Sequence, residues 1–229
     1  MKGPTFRVFL ASLIVFSLAA ILLAGRLDPA GDEPHYLLAT YSLLADHDLD
    51  MANNYAAKDY ERFFHTERYP PGALDDIATW KHAFDYKGDG RLYSVHNVGL
   101  SALLVPAYAL GGRPGTALFM GLLAALLVTQ VYAVCRSHTS RQMTTLLSWL
   151  PLVFSIPLMP FASTVYPEVP AALIVISAWR LVFEKDNPRP GHFLAVALLA
   201  ALLPWFHVKY LAASAAILVI CLVRWRKEI

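Results

Sequence analysis

Charge is what this chain has least of: Asp, Glu, Lys and Arg together make up 16% of its 229 residues. Cysteine is scarcer still, with only Cys135 and Cys221, and no CxxC or Cys/His spacing accompanies them. A disulfide framework and a zinc ribbon are therefore excluded. There is no P-loop, no GxSxG and no GxGxxG, which removes the common phosphate-cradling and hydrolase signatures. Asp46, Asp48 and Asp50 imitate the start of a calcium loop, but Met51 and Ala57 stand where that loop needs Gly and Glu. His35, His47, His65 and His82 show no metal-ligand spacing. No basic patch suited to nucleic acid is present either, so nucleic acid is not an expected partner.

What is abundant is apolar sequence, 57% of the chain. That much hydrophobicity over this length reads as an all-α polytopic membrane protein. Lys2 and Arg7 precede an apolar run over 8–25, longer than the core of a signal peptide and lacking an A-x-A site, so residues 1–25 read as an uncleaved signal-anchor helix. Further apolar runs cover 114–135, 142–161, 168–183, 191–204 and 206–223. About 20 helical residues cross a hydrocarbon core, and the expectation is about six transmembrane helices.

The run 98–111 decides the topology. As a helix it is shorter than the roughly 30 Å of hydrocarbon, and Pro106 interrupts it. If it does not span, Lys2/Arg7, Arg136/Arg141, Lys185/Arg189 and Arg224/Arg226/Lys227 share one side, and the short loops opposite hold only Lys209. That bias places both termini in the cytoplasm of a plasma or inner membrane, with the other face periplasmic or extracellular. The chain then reads as a single membrane module: a signal anchor over 1–25, a long first external loop over 26–113 with amphipathic and re-entrant helices, and five further transmembrane helices within 114–229. Leu37, Leu38, Tyr41, Leu44 and Ala45 form a helical stripe suited to lying on the bilayer.

Ionisable residues at a membrane face are costly and point to function. Asp32-Glu33 follows the first apolar run; Asp32 reads either as a helix cap or as a general base with Glu33 as its partner. Tyr166-Pro167-Glu168 opens the next external loop, where Glu168 is either a first-turn acid or a second site carboxylate. His207, Lys209 and Tyr210 mark the third external turn, as phosphate-binding donors or as interfacial anchors. His96, in the stretch Tyr93-Ser94-Val95-His96-Asn97 just ahead of the run 98–111, is a candidate to face the same cavity.

The stretch Asp32-Glu33-Pro34-His35-Tyr36, with the Asp-rich turn at 46–50, resembles the first external loop of GT-C fold glycosyltransferases, the polyprenyl-phosphate-sugar-dependent membrane enzymes that include protein O-mannosyltransferases and aminoarabinose transferases. The resemblance implies Asp32 as catalytic base, Glu33 as its neighbour, and Tyr36, His96, Tyr166, Glu168, His207, Lys209 and Tyr210 as donor- or substrate-binding residues. It also implies a polyprenyl-phosphate-linked sugar as donor. A divalent metal ion, if one is used, is expected on Asp32 and Glu168. Family members carry several more helices after the point where this chain stops at Ile229, so it reads as an N-terminal module, with a partner subunit as one source of the missing helices. The family's frequent Lys-Pro-Pro-Leu is replaced here by His96-Asn97-Val98-Gly99-Leu100. The alternative function is a non-catalytic lipid-phosphate-binding or partner subunit of a membrane complex.

Overall fold

A computed structural model describes residues 3–75, 81–139, 141–184 and 188–226, the side chain of residue 142 excepted. The described residues are mostly helical, with one two-stranded ribbon. The helices are α1 (Pro4–Ala24), α2 (Glu33–Ala45), α3 (Ala52–Ala56), α4 (Val98–His138), α5 (Gln142–Val153), α6 (Leu158–Phe161), α7 (Glu168–Phe183), α8 (Pro190–Phe206) and α9 (Leu211–Arg224); β1 (Ala83–Phe84) pairs antiparallel with β2 (Tyr93–Ser94). The class is all-α.

Two of these helices, α1 and α4, are long and apolar enough to cross a membrane. The remaining apolar runs form shorter helices: 12 residues in α5, 16 in α7, 17 in α8 and 14 in α9. The run 142–161 is broken between Val153 and Leu158, where Pro157 cannot donate a backbone hydrogen bond.

Helix α4 is not one rod. Gly111 (φ −156°, ψ 21°) and Gly112 (φ 56°, ψ −145°) leave helical geometry, and the Gly112 torsions suit a residue without Cβ. The chain reverses there: a Cβ at Gly115 would collide with the carbonyl oxygen of Ala107, eight residues earlier, which a continuous helix would hold about 12 Å away. The short first half of α4 thus folds back on the second as a helical hairpin, with the break at the end of the run 98–111.

Small residues set the closest packing. Gly121 on the second half of α4 lies against the backbone of Phe16 on α1, and Ala20, Ala24 and Ala117 form their own buried cluster beside it. Trp149 donates to the Ser12 hydroxyl (2.9 Å), tying α5 to α1, and Ser214 donates to the Ala200 carbonyl (2.7 Å), tying α9 to α8. Such small-residue and hydroxyl contacts bring helices together where neighbouring lipid offers no hydrophobic gain.

Helix α2 differs from the surface-lying helix its stripe suggested. Residues Glu33 to Thr40 are all buried, polar ones included, so the first two turns are enclosed by protein rather than resting on one apolar face. Ser101 donates to the Tyr36 carbonyl (3.1 Å) and Thr40 to the Ser101 carbonyl (3.3 Å), so α2 is pinned to the first half of α4.

Candidate functional site

Asp32 and Glu33 are adjacent but have opposite surroundings. The Glu33 side chain is 2% exposed and accepts from Arg113 Nε at 3.1 Å. Arg113, at the start of the second half of α4, also donates to the Leu27 carbonyl (2.7 Å) just beyond the end of α1. One guanidinium therefore joins α1, α2 and α4. Burial pushes the Glu33 carboxyl up, and the Arg113 charge and hydrogen bond oppose that shift.

Asp32 occupies the N-cap position of α2, yet its carboxylate makes no capping hydrogen bond. It faces two imidazoles instead: Oδ1 lies 3.5 Å from His82 Nδ1 and 3.9 Å from His96 Nε2, and those two nitrogens are 2.9 Å apart. The ribbon explains why two histidines far apart in sequence meet. The Asp85 carboxylate collects the N–H groups of Lys87, Gly88, Asp89 and Gly90, closing a tight turn that leads back into β2. Ala83 pairs with Ser94, and Val95 N–H donates to the His82 carbonyl (2.9 Å), so His82 and His96 emerge side by side at the open end. Asp50 anchors the far strand by accepting from the Leu92 N–H (2.9 Å).

Aromatic rings fix both imidazoles. His35 stacks on His82 with ring centroids 3.9 Å apart and shares a hydrogen bond with the Tyr55 hydroxyl (3.2 Å), while Tyr36 packs against His96 at 4.6 Å. Burial, reinforced by the neighbouring His82 and His96, pushes the His35 imidazole down to about 3, so it is neutral at ordinary pH. His96 is also held down, by burial and by His82 and His207, against the pull of Asp32.

Glu168 opens α7 and pairs with Lys209 Nζ at 2.7 Å through Oε1; its Oε2 is shut off from solvent and has no hydrogen-bond partner among the described residues. The Lys209 ammonium also lies 5.2 Å from the centre of the Tyr210 ring, and its backbone N–H donates to His207 Nδ1 (3.1 Å). The loop before α7 is tied to the loop before α2, because Tyr166 donates to the Ala30 carbonyl (2.8 Å). At the other end, Asn97 donates to the Pro204 carbonyl (2.9 Å), and Gly99 lies so close to Trp205 that a Cβ would meet its carbonyl oxygen at 2.5 Å. That approach brings the His96 turn beside the His207 turn.

The fields of Asp32, Glu168, Tyr210 and Tyr166 all reach the phenol of Tyr36, whose acidity is suppressed by burial first and then by those groups. Of the residues singled out in the sequence, Glu33 alone directs its charge into a core ion pair. The sequence sets His35 and His82 aside for want of metal-ligand spacing, although His82 lies with His96 beside Asp32, and it does not single out Arg113. The turn at Lys87-Gly88-Asp89-Gly90, read as a hairpin closure, would have placed His82 opposite the residues around His96.

Two apolar grooves flank α7, and Glu168 lines both. One, about 590 Å³, runs between the second half of α4, α7 and α9, past Leu127, Val131, Val175 and Trp179, with Tyr210 also lining it. The other, about 360 Å³, lies on the α5–α6 side, past Leu152 and Phe161. From Glu168 to Trp179 the helix advances about 16 Å.

Comparison with protein-family models, with curated proteins and with solved structures finds no match to this chain.

Proposed function

We propose that this chain is a membrane-embedded glycosyltransferase module that moves a sugar from a polyprenyl-phosphate donor to an acceptor hydroxyl or amine at the outer membrane face. The observation that carries this reading is the meeting of a polar, carboxylate-bearing cluster with two apolar grooves, both of which have Glu168 as their one charged lining residue. An amphiphile with a charged head and a long hydrocarbon tail fits that combination.

In this reading the six apolar runs cross the bilayer, with 98–111 re-entrant and both termini cytoplasmic. Large apolar side chains on α1, α5, α8 and α9 support it, since Ile14, Leu147, Leu194 and Val219 are each well exposed on the isolated chain, as lipid-facing residues would be. The helices of 14–17 residues would be met by local thinning of the bilayer.

The donor's tail would lie beside α7 and its phosphate would meet Lys209, drawing the ammonium off Glu168. Asp32 would take the proton from the acceptor as the acceptor atom bonds to the anomeric carbon. The bond from that carbon to the phosphate oxygen breaks, and the polyprenyl phosphate leaves with the electron pair. Glu168, with one oxygen already desolvated, would orient the acceptor or the sugar hydroxyls.

The test is transfer of radiolabel from polyprenyl-phosphate-linked hexose or aminopentose by the full chain in vesicles. Asp32→Asn should lower the rate by roughly 100-fold or more with unchanged protein level; undiminished transfer would overturn the assignment. The second reading, lipid-phosphate binding without turnover, is favoured by the grooves alone. Saturable donor binding by a wild-type chain that transfers nothing would decide for it, and would point to a partner subunit as the source of chemistry.

A further inference from the structure

Three lone-pair donors from separate parts of the chain converge at the entry to α2. Asp32 Oδ1 comes from the α2 N-terminus, His82 Nδ1 from the residue just before β1, and His96 Nε2 from the turn after β2. Their separations are 2.9 Å, 3.5 Å and 3.9 Å. Three ligands bound at roughly 2.0–2.1 Å to a tetrahedral zinc ion stand about 3.3 Å apart, so small movements of these side chains would accommodate the ion. We propose that Asp32, His82 and His96 form a binding site for a zinc-type divalent cation, with the fourth position open toward the proposed substrate face.

Several features favour an ion over a simple hydrogen-bonded trio. Three acceptors crowd one point, and a neutral His82–His96 pair can place only one proton between its two facing nitrogens. The site is also built: His35 and Tyr36 hold the two imidazole planes, and the ribbon and the α2 entry are each braced by their own hydrogen bonds. Two nitrogens and one carboxylate oxygen select zinc or cobalt over magnesium, which prefers an all-oxygen octahedron. Three protein ligands with one open position are the pattern of catalytic rather than structural zinc. Asp32 is 44% and His82 35% exposed whereas His96 is 10% exposed, so access to the ion is from the Asp32 and His82 side.

This ligand set differs from the Asp32–Glu168 pair expected from sequence, because Glu168 is engaged by Lys209. The ion's role, though not its binding, rests on the transferase reading. There it would hold a donor phosphate oxygen or the acceptor oxygen, while Asp32 Oδ2 would remain to accept the proton.

The experiment uses the full chain, purified in detergent, with zinc or cobalt chloride alone. The expected result is one metal ion per chain by native mass spectrometry, with the intense visible bands of tetrahedral cobalt. His82→Ala and His96→Ala should each lower affinity by roughly 100-fold or more, while His65→Ala and Glu168→Gln should leave it unchanged. His82→Cys should retain the ion and add a near-ultraviolet thiolate-to-cobalt band, which a merely structural role for His82 could not produce. Absence of cobalt bands from folded wild-type protein, or binding indifferent to the His82 and His96 variants, would overturn the proposal. Metal binding with no sugar transfer would sustain the site and reject only the transferase role.

Discussion

The two sides of the first turn of α2 make an instructive pair. On one side Glu33 enters the core and meets Arg113; on the other Asp32 meets His82 and His96 in a partly open pocket. The residues are neighbours and differ by one methylene, yet one carboxylate is spent on architecture and the other remains available. A buried charge left unpaired is expensive, so the Glu33–Arg113 pair behaves as a clamp that must be kept whole. The turn it fixes determines where Asp32 points. Charge at the site is thus positioned by charge that takes no part in it.

Breaking the clamp should give the largest effect on stability. Glu33→Ala strands the Arg113 guanidinium and should cost about 3–5 kcal/mol, read as a lower unfolding temperature in detergent. A double variant, Glu33→Leu with Arg113→Met, should recover part of that loss. Recovery should be incomplete because Arg113 also holds the Leu27 carbonyl. If Glu33→Ala instead kept full stability while abolishing transfer, Glu33 would belong with Asp32 on the chemical side of the comparison.

A smaller effect is expected at the hinge between the two sides. Gly31 sits at φ +60°, and a Cβ there would meet the Tyr166 hydroxyl that donates to Ala30. Gly31→Ala should cost about 1–2 kcal/mol from the left-handed backbone, plus the displacement of Tyr166. In a double-mutant cycle with Tyr166→Ala, the steric share should vanish and the backbone share persist. Strict additivity would show that Tyr166 does not brace this turn.

The elements most legible in the sequence were apolar runs ended by proline or charge. The run 168–183 coincides with α7, 8–25 overlaps α1, and 191–204 lies within α8. Helix breaks were read unevenly: the Gly111-Gly112 reversal falls between the runs 98–111 and 114–135, whereas the interruption after Val153 lies inside the run 142–161 and depends on local torsions, not on hydrophobic content. At the site, Asp32, Glu168 and Lys209 stood out because charge is rare in this chain. His82 and Arg113 did not, since their meaning comes from partners 50 and 80 positions away, Asp32 and Glu33 respectively. Register and helix reversal create those partnerships, and neither is a periodic signal.

The smallest effect should come from Asp28, which ties the chain just after α1 to His65 and Tyr69. Its Oδ1 accepts from the backbone and the ring of His65 at 2.7 Å, and its Oδ2 from the Tyr69 hydroxyl at 3.0 Å. Burial pushes this carboxyl up, but the His65 and Tyr69 hydrogen bonds outweigh it and hold the group below its ordinary 3.8. A carboxylate with a depressed pKa stabilises the folded state above the unfolded value, and that stabilisation is lost as pH falls through the folded one. Asp28→Asn should therefore cost about 1 kcal/mol at neutral pH, and the gap to wild type should close as pH drops below 3.8. A gap that stayed constant through acid would show that packing of the side chain, not its ionised form, holds His65 and Tyr69 in place. The Glu33 clamp should show no matching loss in that window, because burial displaces its carboxyl in the opposite direction. Unfolding curves of the Asp28 and Glu33 variants over the same acid range would separate the partly buried carboxylate from the fully buried one by the sign of their pH dependence.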